Sequence, residues 1–172
     1  MSNLLRANFY RMRRDQMFWV CLGTVLACSA VFVFFWCREA LLLGFETRLE
    51  AYYFNMVMSL GFFTAMFAAM FLNAEYSEGT IRNKLAVGRT RRAVYLAHFL
   101  TVLTASLLFI AAWLIGGCAG IPMLGPWGFG PGGLAFHVLI AVGSTAAFAA
   151  IFTFLGMLLS RRTATVTVVL SW

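Results

Sequence analysis

Between Ala93 and Ser160 the chain has no Asp, Glu, Lys or Arg, and an uncharged run of that length is most stable in hydrocarbon. A helix needs about 20 apolar residues to cross a bilayer core about 30 Å thick. Two more runs of that kind, 16–37 and 51–74, precede it, and a shorter one opens at Thr163. The long run is divided by Gly116, Gly117, Gly120, Gly125, Gly128, Gly130, Gly132 and Gly133 with Pro122, Pro126 and Pro131. So many breakers cannot sit in a lipid-exposed helix, so residues 117–133 read as a loop. The expectation is an all-α, polytopic membrane bundle. It has spans at about 16–37, 52–73, 93–116 and 134–159 and a fifth beginning at 163, after a cytoplasmic amphipathic segment over 1–15. Apolar residues make up 62% of the chain and charged residues 11%. That composition excludes a soluble enzyme and a disulfide scaffold.

Charge sets the orientation. Eleven of the 13 Lys and Arg fall on one set of connections: Arg6, Arg11, Arg13 and Arg14; Arg82, Lys84, Arg89, Arg91 and Arg92; Arg161 and Arg162. Only Arg38 and Arg48 fall on the other. By the positive-inside rule the N-terminus is cytoplasmic and the chain is a multi-pass protein of the cell membrane. The basic balance is therefore topological, and no nucleic-acid partner is expected. The first apolar run continues through Trp36, beyond a signal-peptide core, and reads as an uncleaved anchor.

Motifs for intrinsic chemistry are lacking. Lys84 is the sole lysine and has no glycine-rich phosphate loop before it, and no G-x-S-x-G, H-E-x-x-H or C-x-x-C occurs. No enzyme activity, cofactor or metal site is expected in this chain. His98 and His137 lie near span ends and read as interfacial histidines bonded to water or backbone. Cys37 and Cys118 share the outer face, although spacing does not establish a bridge. The pairs Gly23/Ala27, Ala65/Ala69 and Gly143/Ala147 have the small-xxx-small spacing that allows close helix packing. Phe residues, 18 in number, are expected mostly to face lipid.

The most informative connection is AEYSEGTIRNKLAVGRTRR, residues 74–92. Thr80 can cap a short helix that Gly88 ends in the left-handed conformation, and Thr90 can cap the next span. Ile81 and Leu85, four apart, share one face of that helix. A basic loop touching headgroups would tolerate almost any residue order, but the order here is specific.

The stretch EYSEGTIRNKLAVGRTRRAVYLAHFL resembles the signature of ATP-binding-cassette transporter permeases of the type-2 exporter class. The matching positions are Glu75 or Glu78, Gly79, Thr80, Ile81, Arg82, Leu85, and Arg89 or Arg92. The resemblance implies a coupling helix that sits in a groove of a separate ATPase subunit. Glu75, Glu78, Arg82 and Arg89 would make polar contacts there, and Ile81 and Leu85 would be apolar anchors. LLRANFYRMRRDQMFW is similar to the family's elbow helix. Further implications are a second permease subunit, identical or not, contact with membrane lipid, and ATP and magnesium bound in the partner rather than here. Family members commonly have about six spans, so this chain resembles a truncated or partial permease. His98 stands where the family usually has Lys. The rival reading is a motor-free immunity or scaffold protein that binds partners through its spans, and it leaves the order of residues 75–92 unexplained.

Overall fold

The computed structural model describes residues 2–43, 49–88, 90–118 and 131–158; the side chains of 2–3, 40, 43, 49–59, 81–82, 85, 118 and 131–134 lie outside that description. The described residues form six helices: α1 (Ser2–Arg14), α2 (Gln16–Leu43), α3 (Leu49–Ser77), α4 (Thr80–Ala86), α5 (Arg91–Cys118) and α6 (Pro131–Leu158). Among them no strand occurs. The fifth span expected from 163 lies outside the described residues.

Three of these helices are long and apolar enough to cross a membrane, at Gln16–Glu39, Arg91–Gly117 and Ala135–Leu158. The helices outrun the expected spans, and α5 and α6 take in both margins of the segment read as a loop, 117–118 and 131–133. Glycine costs a helix only about 1 kcal/mol, and proline is tolerated in a first turn, where its missing N–H has no partner to lose. Pro131 is the first residue of α6.

A single residue, Asp15, separates α1 from α2. Its Oδ1 accepts the Met17 N–H at 3.0 Å, an N-cap on α2, while its own N–H donates to the Arg11 carbonyl at 2.9 Å. Leu4, Asn8 and Met12 are buried at four-residue spacing along α1, and α1 packs on α5.

The core is built from rings where α2, α3 and α5 meet. Phe67 stacks on Phe71 with centroids 5.4 Å apart and meets Phe109 edge-on at 6.0 Å. Phe18 contacts both Phe67 and Phe109. Phenylalanine thus divides its work: these four are buried, whereas Phe34, Phe35, Phe136 and Phe154 point outward.

Close approaches fix the helix directions. A Cβ at Gly61 would meet the Phe148 ring at 3.1 Å, and one at Gly156 would meet the Leu72 side chain. Residue numbers rise together along both helices, so α3 and α6 run parallel. Ser29 Oγ donates to the Trp113 carbonyl at 2.9 Å, beside Gly116. Near its far end α6 is held by two tyrosines: Tyr95 Oη donates to the Ala150 carbonyl at 3.3 Å and Tyr76 Oη to that of Met157 at 2.7 Å. Of the small-residue pairs, only Ala65/Ala69 is buried inside the bundle. A Cβ at Gly23 or Gly143 meets nothing within 4 Å. Cys37 is a buried free thiol, and the Cys118 side chain lies outside the described residues.

Candidate functional site: a buried ionic knot

The segment between α3 and α5 folds back on itself at two glycines. Gly79 has φ +67° and Gly88 φ +81°, values that glycine adopts without the steric cost a Cβ brings. Gly79 also supplies the carbonyl that accepts the Asn83 N–H at 3.1 Å. Gly79 therefore occupies the N-cap position expected of Thr80, and Thr80 becomes the first helical residue. The other two expectations for this segment agree with the geometry. Gly88 follows α4 in the left-handed region, and Thr90 Oγ1 accepts the Ala93 N–H at 3.3 Å to cap α5.

This reversal brings Lys84 of α4 back over the last turns of α3. Lys84 Nζ donates to Glu75 Oε1 at 3.0 Å and Oε2 at 2.9 Å, and also to Asn8 Oδ1 of α1 at 3.1 Å. On the other side of the carboxylate, His98 Nε2 of α5 lies 3.0 Å from Oε2, at ion-pair distance but without hydrogen-bond alignment. Arg11 bridges outward, 3.6 Å from Glu75 Oε1 and 2.9 Å from Glu78 Oε2, with its guanidinium 5.9 Å from the Phe71 ring centroid. Glu75 and His98 are each 0% exposed. A single carboxylate thus ties four helices together.

Asn8 orients the histidine. Because its Oδ1 accepts from Lys84, its amide nitrogen faces His98 Nδ1 at 3.4 Å. An N–H donor opposite Nδ1 makes that atom an acceptor, which leaves the ring proton on Nε2, facing Glu75. The Glu75 carboxyl is subject to opposing influences: burial pushes its pKa up, while His98 and Lys84 push it down and prevail, leaving it below the ordinary 4.5. A carboxyl with a lowered folded pKa stabilises the fold fully above its unfolded value. That contribution is lost as pH falls through the folded value. Melting temperature should therefore drop as pH is lowered below about 4.5, and Glu75→Gln should lose that acid limb. An unchanged acid limb in the variant would assign the effect to another group.

Of the residues singled out by sequence, Glu75 and Glu78 are brought together through Arg11. Gly79 and Thr80 form the turn into α4. Ile81, Arg82 and Leu85 lie on the α4 backbone with side chains outside the description, and Arg89 lies outside the described residues. Glu75 faces the chain's own interior, among Arg11, Lys84 and His98. Sequence reasoning missed Asn8, Arg11 and Lys84 as members of the site. It also read His98 as bonded to water or backbone, whereas His98 meets the side chains of Glu75 and Asn8. One signal was available: Asn8 sits midway between Leu4 and Met12, a polar residue inside the apolar stripe of an amphipathic helix.

The family model of the ABC-2 family transporter protein matches residues 4–172. The chain belongs to that family and is a membrane permease component of an ABC transporter, a transport subunit rather than the ATPase. Members of the family normally work with an ABC ATPase. Comparison with curated proteins and with solved structures gave no match.

Proposed function

We propose that this chain couples ATP hydrolysis in a separate ATPase subunit to export of a substrate across the cell membrane. In this reading α4 is the coupling helix. Residues 1–15 form a cytoplasmic elbow, α3 carries a fourth span at about 52–73, and the remainder continues into a fifth that begins at 163. ATP and magnesium reside in the ATPase. A second permease subunit, identical or not, completes the translocation path, and lipid surrounds the spans. The observation that carries the reading is the position of Lys84: a push on α4 bears at once on α1 through Asn8 and on α3 through Glu75, and Glu75 adjoins His98 of α5. A seven-residue helix gains little stability of its own, so its orientation depends on such tertiary ties.

The test separates docking from coupling. Ile81→Asp together with Leu85→Asp should reduce co-purification of the ATPase at least about tenfold, since each introduces a charge into an apolar contact, while membrane insertion stays normal. Lys84→Met should leave co-purification intact and lower transport per ATP hydrolysed. Wild-type ATPase retention in the double variant would refute the assignment of α4.

A further inference from the structure

The four arginines of α1 have different surroundings, and Arg14 lies against Tyr10. Arg11 turns inward to Glu75 and Glu78. Arg6 and Arg13 are exposed, and among the described residues neither has an ion-pair partner. They border an open groove of about 480 Å³ lined by Leu5, Arg6, Phe9, Tyr10 and Arg13. The two arginines are seven positions apart, almost two turns, so they stand about 10 Å apart on one face. Tyr10 lies between them, 64% exposed. Its hydroxyl oxygen accepts from Arg14 at 3.1 Å, which leaves the phenol proton free to donate outward. Leu5 and Phe9, four apart and half-buried, give the groove an apolar floor. No acid occurs anywhere in α1.

The groove also has a defined depth. Arg13 is three residues from the start of α2, and its carbonyl accepts the Trp19 indole N–H at 2.9 Å. Trp19 is 57% exposed, and an indole so placed favours the headgroup boundary. We propose that this face of α1 is a binding site for one anionic phospholipid. Arg6, Arg13 and the Tyr10 hydroxyl hold its phosphate, and an acyl chain lies along Leu5 and Phe9. Guanidinium suits this role because its planar fork pairs with phosphate oxygens in a way that an ammonium does not.

The test uses the full chain in nanodiscs of phosphatidylcholine containing a minority of phosphatidylglycerol, with retained lipid read by native mass spectrometry. Phosphatidylglycerol should be retained about thirtyfold over its bulk ratio, as two surface arginines imply. Arg6→Gln with Arg13→Gln should return retention to the bulk ratio. Arg91→Gln with Arg92→Gln, on α5, should leave it unchanged, and matching circular dichroism would show that both variants are folded. Equal retention in the Arg6/Arg13 variant would overturn the proposal. So would displacement of the lipid by inorganic phosphate alone, or loss of ATPase co-purification with retention unchanged, which would make the face a protein contact.

Discussion

Replacing Glu75 by alanine is expected to destabilise the chain by about 3–5 kcal/mol, the range seen when one member of a buried ion pair is removed and the other stays. The variant leaves Lys84 and His98 facing a site with no carboxylate. Arg11 keeps Glu78 at 2.9 Å, so α1 is only partly released. Unfolding followed in detergent with denaturant would measure the loss. Replacing both Glu75 and Lys84 by methionine should recover much of it, because an apolar pair of similar volume leaves fewer ions unmatched. If the double variant is no better than the single, the loss comes from packing and not from uncompensated charge.

The second large effect is expected at Gly116. A Cβ there would meet Ser29 Cβ at 2.7 Å as well as its hydroxyl, and a β-carbon cannot swing away as the end of a long side chain can. Gly116→Ala should cost about 1–3 kcal/mol, as overpacking generally does. The remedy is specific: Ser29→Gly in the same chain should restore most of the stability, although it removes the hydroxyl that donates to the Trp113 carbonyl. Gly23→Ala and Gly143→Ala, with nothing within 4 Å of the added carbon, should be neutral or slightly stabilising. A uniform loss at all three positions would mean that glycine acts through helix flexibility and not through contact.

Much of the architecture was legible in the sequence because the bilayer leaves so few choices. Uncharged runs of span length must be helices, and the runs at 16–37, 51–74 and on either side of the glycine and proline cluster are helical; the body of the expected loop, 119–130, lies outside the described residues. The short helix at 80–86 was legible too, from Gly88 and the Ile81/Leu85 spacing. What periodicity could not show was which polar residues meet. Glu75 and Lys84 are nine apart, a spacing that brings side chains together only once Gly79 has turned the chain back. Asn8 and His98 are ninety apart, and nothing local to either points to the other. The resemblance assigned Glu75 to a partner surface, whereas burial gives it an interior role, because residue type alone does not reveal which way a helix faces.

Glu75 and Tyr76 are neighbours in sequence, so on a helix of 3.6 residues per turn they point about 100° apart. One is bound to α4 and adjoins α1 and α5, and the other reaches the Met157 carbonyl of α6. Two consecutive side chains therefore tie the end of α3 to α4 and to α6 in different directions. A tilt imposed at one of these ties would reach the other through a single peptide unit, with no intervening loop to absorb it.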